Sequence, residues 1–436
     1  RRRVRTVFAR DSLSAAKRRE ALFLRLGYQQ FMRFVQTGVR NSKKVYGRKI
    51  RMSKSLIRKL AVLLAVITVF SLLLPGCSKK TKDSDTTPTD KSYKIGVNTW
   101  GSGVPVLDAF GDNAAYVAEL FGCTIMRASD DFTPDKETEN VQNFVSAGVD
   151  GVALQAAGVT NLPRMAEILA GGKTPFVLFT FIGAADVRAQ LRESNTYYVG
   201  SVDNDLIGDG RVVAQMALDA GRKSAVIIGG NIGDSTQDMR VQGFKEVFEA
   251  GGGKVLSVAR CTDASEAPTK AQDMLSANKD ADCMFAMVGD YVPASVTALE
   301  ALGMKDQVNL YMSGVDKHSA VYIKEGSVIA GADGLFLASF IAPTLLLNYM
   351  DGHAIKDENG KAPELLTKPF EVNANNVDAY ISIFGTEGIA PIADATLKNL
   401  CWRYNQNVTY QDYVDLIEKG LSLNALLKAH GKPEVN

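Results

Sequence analysis

The 436-residue chain has three histidines and five cysteines, and each scarcity closes a class of function. His318, His353 and His430 stand apart, without acidic or thiol partners at ligand spacing, which excludes a zinc site of the usual kinds. They support no His-based triad, and no Gly-x-Ser-x-Gly elbow occurs, so a hydrolase on an α/β scaffold has no nucleophile apparatus. No Lys/Arg cluster or Gly-rich loop with Lys follows an apolar run, which disfavours a phosphorylated or strongly anionic ligand. Disorder is excluded by 46% hydrophobic and 22% charged residues. The net charge of +2 hides an asymmetry. Among the first 76 residues 19 are basic and two acidic, a net +17, and the remainder carries −15. A basic nucleic-acid-binding body is therefore excluded, and the basic segment reads as a targeting element.

That segment has an internal order. From Met52 the sequence MSKSLIRKLAVLLAVITVFSLLLPGC gives a basic start (Lys54, Arg58, Lys59) and an apolar run over 60–74. Fifteen residues suit an export signal and fall short of the roughly 20 that a membrane-spanning helix needs. Leu74-Pro75-Gly76-Cys77 resembles the lipobox of bacterial lipoproteins, which implies lipidation of Cys77 and a signal over 52–76. Residues 77–92 are polar and read as a flexible tether. Since an export signal belongs at an N-terminus, and no Met precedes Phe31, residues 1–51 are expected to be an upstream mis-start outside the mature protein.

From Lys94 short apolar or β-branched runs alternate with amphipathic stretches of helical length. The pattern predicts strands over 94–98, 124–128, 151–154, 176–179, 197–202, 224–228, 254–259, 283–286, 309–312 and 328–332. It predicts helices over 104–121, 137–147, 162–170, 206–220, 237–250, 267–277, 294–302 and 335–350. Continuous apolar strands joined by crossover helices argue parallel sheets covered on both faces. Ten strands exceed one ordinary sheet, so the expected fold class is α/β with two doubly wound parallel-sheet lobes. Ligands bind such sheets beyond the carboxyl ends of the strands.

The segments KIGVNTWGSGVP, AGVDGVALQ, VGSVDNDLIGDGRVVAQMAL, MRVQGFKEVF, GDYVPASVTALEALG and SGVDKHSAVYIKEGSVIAGAD follow in order from Lys94 to Asp333. Together they resemble type I periplasmic solute-binding proteins, especially the ribose and galactose branch. The resemblance implies a three-stranded hinge crossed near Gly200, Ala332 and 351–368. It places 93–200 with 333–352 in an N-terminal lobe, and 201–332 with 353–436, including a C-terminal extension, in the other. It further implies a monomeric, lipid-anchored extracytoplasmic receptor that takes a small sugar-like ligand, such as a monosaccharide, and delivers it to an ABC permease. Neither catalysis, cofactor, metal nor nucleic acid enters. Two alternatives stay open: presentation of ligand to a membrane sensor, and a nucleoside or cationic ligand in the same cleft.

The resemblance also proposes the ligand-binding residues. Trp100 falls in the loop where the family places stacking aromatics, with packing in the lobe core as the other role open to it. Thr180-Phe181 stands where the family often has Asp-Arg. Arg240 matches a family Arg, while Asp238 occupies the place of a ligand-gripping one. Asp290 and Asp316 match strand-end carboxylates, each equally able to cap the following helix, and Asp333 lies near the cleft amide of the family. Asp203-Asn204 reads as the N-cap of the next helix, and Cys123 and Cys283 as buried free thiols. The aromatics of CWRYNQNVTYQDYVDLIEKG read as core or lobe-cap packing.

Overall fold

The computed structural model describes residues 91–435 except Val159, Gly233 and Glu387; the leader, Cys77 and most of the expected tether lie outside the described residues. The first half of the fold runs β1 (Lys94–Thr99), α1 (Pro105–Leu120), β2 (Thr124–Ser129), α2 (Pro134–Ser146), β3 (Gly151–Leu154), α3 (Leu162–Gly171), β4 (Phe176–Phe179), α4 (Ala185–Ser194) and β5 (Tyr198–Asn204). There follow α5 (Leu206–Asp219), β6 (Ser224–Gly229), α6 (Ser235–Ala250), β7 (Lys254–Arg260), α7 (Ala267–Ala277), β8 (Cys283–Ala286), α8 (Val292–Ala301), β9 (Asn309–Ser313), α9 (Ala320–Lys324) and β10 (Ala330–Asp333). The chain closes with α10 (Leu337–Met350), β11 (Glu364–Thr367), β12 (Phe370–Asn373), α11 (Val377–Phe384), α12 (Asp394–Asn399), α13 (Tyr410–Asp415) and α14 (Leu423–Ala429).

Two six-stranded sheets result, ordered β11-β5-β4-β3-β1-β2 and β12-β10-β9-β8-β6-β7. Every pairing is parallel except β10 with β12. Central strands such as GVAL, FVLF and CMFA are buried throughout, as strands covered by helices on both faces must be. Edge strands β2 and β7 are only partly covered and carry polar residues accordingly.

The crossings between sheets depart from expectation by a few residues. β5 stays in the first sheet through Asn204, so the chain leaves it at Asp205 rather than near Gly200. The return follows Asp333, and the third passage is the short link Lys368-Pro369 between β11 and β12. Glu364–Thr367 therefore belongs to the first sheet, whereas the resemblance places 353–436 in the second lobe. Asp203-Asn204 does not cap α5. Asp205 does, accepting 2.7 Å from the Gly208 amide.

The C-terminal extension has a clear physical reason. α10, LASFIAPTLLLNYM, is apolar around its whole circumference and buried from Leu337 to Asn348, so the first sheet alone cannot cover it. The extension covers its other side: Asn348 Nδ2 donates to Leu400 O at 2.8 Å, its Oδ1 accepts from the Trp402 amide, and the Thr344 and Tyr413 hydroxyls are 2.8 Å apart. Just beyond α10, Arg403 holds Asp351 through two 2.7 Å contacts and donates to Phe121 O at 3.1 Å, with both side chains buried. The extension thus docks largely on the first lobe, while α11 packs on α9 and β12 of the second. The four described cysteines are free and buried. Arg403→Met is expected to cost about 3–5 kcal/mol in denaturant unfolding, because it strands the buried Asp351 charge. The double variant with Asp351→Leu should recover much of that loss, and a single variant as stable as the parent would show the pair to be dispensable.

Candidate functional site

A cleft of about 260 Å³ opens between the two sheets at the carboxyl ends of their strands. On the first-lobe side its aromatic wall rests on a strained turn. Asp131 and Phe132 have φ of 48° and 61°, a region that costs a non-glycine residue of the order of 1–3 kcal/mol. The turn is held by buried Asp130, whose carboxylate accepts from Asn98 Nδ2 at 2.7 Å and Asn140 Nδ2 at 2.9 Å. The Phe132 amide donates to Trp100 O, fixing the ring over Gly101, where an added Cβ would lie 2.2 Å from the phenyl. Thr180, with φ of 60°, is a second strained residue on the same wall; its Oγ1 accepts from Gln155 Nε2 at 2.6 Å, and Gln155 Oε1 accepts from the Trp100 amide. Of the four non-glycine residues with positive φ among those described, only Lys173 lies away from this wall.

The second-lobe side is set by helix docking. α5 and α6 approach so closely that a Cβ on Gly210 would lie 2.1 Å from Arg240 O, and one on Gly243 1.9 Å from Ile207 O. Arg240 then points beneath the cleft, donating through Nε to Asp209 at 3.2 Å and to Ser313 Oγ at 3.1 Å. Burial pushes the Asp209 carboxyl up and its Arg240 partner pulls it back down. Above this pair the first turn of α6 presents Asp234, Thr236 and Gln237 to the cleft. Asp316 caps the turn after β9, its Oδ1 accepting from the His318 and Ser319 amides at 2.9 and 2.7 Å, and it faces the cleft as well. Asp290 faces the same space, its carboxyl pushed up by burial and by the charge of Asp316.

Of the residues singled out from the sequence, Thr180, Phe181, Arg240, Asp290 and Asp316 line this cleft. Trp100, Asp238 and Asp333 are not among its lining residues. Trp100 sits edge-on behind Phe132 with ring centroids 6.4 Å apart, so it buttresses the wall. Asp238 turns away and pairs with Arg260 of β7. Phe132 and Gln237 line the cleft although the sequence does not single them out, and Asn204, which the resemblance sets beside the hinge and cleft, lines it too. Phe132 follows an ordinary-looking Asp-Asp, and only its left-handed backbone turns it inward. Gln237 had a legible signal, since it lies one helical turn before the recognised Arg240.

Asp333 is fully buried where the chain recrosses to the first lobe. Its Oδ1 accepts from the Leu335 amide at 3.3 Å, and its Oδ2 lies 2.9 Å from the Tyr380 hydroxyl, which is also 2.6 Å from Val315 O. One hydroxyl proton cannot satisfy a carboxylate and a carbonyl together. Both contacts become hydrogen bonds when Asp333 is neutral and donates to Tyr380. Burial accordingly raises the Asp333 carboxyl to about 7, and the buried carboxyls of Glu137 and Asp203 also to about 7. A raised acid costs the fold nothing below its unfolded value near 4; the cost grows as pH rises and is complete above about 7. Thermal melts should therefore show stability falling between pH 5 and pH 8. Asp333→Asn, whose amide can donate to Tyr380 as the neutral acid does, should flatten that fall by about 1–3 kcal/mol; parallel pH profiles for variant and parent would contradict this.

Comparison with known proteins agrees with this geometry. A family model described as periplasmic binding protein domain matches residues 95–334, more than half of the chain. No curated protein sequence matches. Among solved structures, a sugar ABC transport system substrate-binding protein from Bordetella parapertussis is 19% identical, with a TM-score of 0.57 over 66% of this chain and 91% of that one. An ABC transporter solute-binding protein from Actinobacillus succinogenes with bound D-allose is 16% identical, with a TM-score of 0.59 over 66% of this chain and all of that one. One from Bacillus halodurans with bound myo-inositol is 18% identical, with a TM-score of 0.55 over 66% and 97%. The matched region holds both sheets' central strands and most of the cleft, and the α/β fold is the one expected from the motifs. The chain belongs to the periplasmic binding protein family, whose members bind solutes rather than transform them.

Proposed function

We propose that the protein is an extracytoplasmic receptor that captures a small sugar-like ligand between its lobes and hands it to an ABC permease. The observation that carries this reading is the cleft itself: both lobes line it, with Phe110, Phe132, Phe181 and Phe336 offering apolar faces beside Thr180, Asn204, Gln237, Asp290 and Asp316. That mixture suits a ring with apolar faces and a polar rim. Membership of the family and the D-allose and myo-inositol bound in two similar solved structures support a polyhydroxyl ligand. The export-like leader and Cys77 support a lipid-anchored location. Three thin crossings between the sheets suit a hinge that closes on the ligand.

Ligand that binds only the folded protein raises its melting temperature, by about 2.7 kcal/mol of stability at a hundredfold excess over Kd. A panel of monosaccharides, polyols and their derivatives should contain compounds that do so. Phe132→Ala should lose most of the shift, and Trp100→Ala less, since Trp100 acts through Phe132. Absence of any shift across the panel would defeat the reading, and mass spectrometry of ligand retained through purification provides an independent check.

A further inference from the structure

We infer that the ligand carries a protonated amine as well as hydroxyls, an amino sugar or aminocyclitol whose ammonium group seats on the second-lobe wall against Asp290 and Asp316. The inference rests on the capture reading above and names the ligand class of that same cleft.

That wall keeps unspent acceptors. Gln237 is 8% exposed, and its Oε1 is buried without a hydrogen-bond partner in a segment that lines the cleft. An unpaired buried acceptor is costly, and a ligand donor that reaches it would relieve that cost. Asp316 has its Oδ1 occupied by the His318 and Ser319 amides and the Ser319 hydroxyl, which leaves Oδ2. Asp290 makes no hydrogen bond or ion pair among the described residues. The two carboxylates interact repulsively. Among the described residues neither carboxylate forms an ion pair with a basic side chain that lines the cleft. Arg240 is the one basic residue lining it, and its charge is taken up by Asp209 beneath the surface at 3.2 Å. Lys317 and His318, next in sequence to Asp316, line a neighbouring cavity that shares Asp316 with the cleft.

The first-lobe wall is different. Thr180 accepts from Gln155, which leaves its hydroxyl proton to donate, and Asn204 Oδ1 accepts from Thr367, which leaves its amide donors. A neutral sugar could use these donors but would leave two facing negative charges uncompensated. A ring bearing hydroxyls on one edge and an ammonium on the other answers both walls, with the aromatic side chains against its faces.

The test compares, by calorimetric titration of the purified protein, hexosamines and aminocyclitols with their neutral hydroxyl counterparts. The amine should bind about tenfold or more tightly than its counterpart, a charge-assisted hydrogen bond being worth about 1.5–3 kcal/mol. Asp290→Asn should remove most of that preference, weakening the amine about tenfold more than its neutral counterpart. A neutral compound that binds as tightly as its amine, or an Asp290→Asn variant that weakens both equally, would overturn the amine inference and leave sugar capture standing. Failure of both members of every pair to bind would overturn the capture reading and the inference with it.

Discussion

The second crossing between the lobes turns on a buried carboxyl group whose proton decides its hydrogen bonds. Asp333 ends β10, precedes the turn into α10, and meets the hydroxyl of Tyr380 from the extension. That hydroxyl also reaches Val315 O, one residue before the cleft carboxylate Asp316. Strand end, crossing and extension are therefore referred to one proton. With the proton present, each contact is a hydrogen bond in a dry site. Without it, a charge is buried and Tyr380 must choose between two acceptors. The geometry of the lobe junction is in this sense a chemical state of Asp333.

The two walls of the cleft are held in place by opposite means. The first lobe stores backbone strain at Asp131, Phe132 and Thr180 and offsets it with hydrogen bonds from Asn98, Asn140 and Gln155. The second lobe uses close packing: glycines let α5 and α6 touch, and the Arg240 to Asp209 pair pins α6 over the end of β9. Strained loops suit a wall that presents a ring, and docked helices suit one that presents charges at fixed positions.

Most of the fold was legible because parallel strands buried on both faces are written as apolar runs. Strands such as 151–154, 176–179 and 283–286 match to the residue. The unread elements lack that signal. α4, ADVRAQLRES, buries only Leu191 and has no apolar stripe. β11 and β12 are short edge strands of four residues that are only partly buried. Their pairing is decided by tertiary contact, as is the split of the extension between lobes. The site was legible by loop but less by residue. Trp100 marked the correct loop, yet the ring facing the cleft belongs to Phe132, 32 positions later, across the β1 and β2 ends.

Charge shows most clearly why residue type alone misleads. Arg240 matches a family Arg and Asp238 stands in the place of a ligand-gripping one, but Asp209 claims the first and Arg260 the second. Asp333 looked like a cleft acid and is committed to Tyr380. Asp290, open from sequence to a ligand or a capping role, caps nothing: it is the middle residue of the short turn Gly289–Tyr291, which has no side-chain cap. A side chain's chemistry is available to a ligand only to the extent that the fold leaves it unspent. Partners 22 to 47 residues away decide the balance for these residues, beyond the reach of local sequence pattern. The body's formal charge of −15 is likewise distributed unevenly. Buried acids such as Glu137 and Asp333 titrate near neutral pH, whereas those at the second-lobe wall face the cleft, where negative charge can act on a ligand.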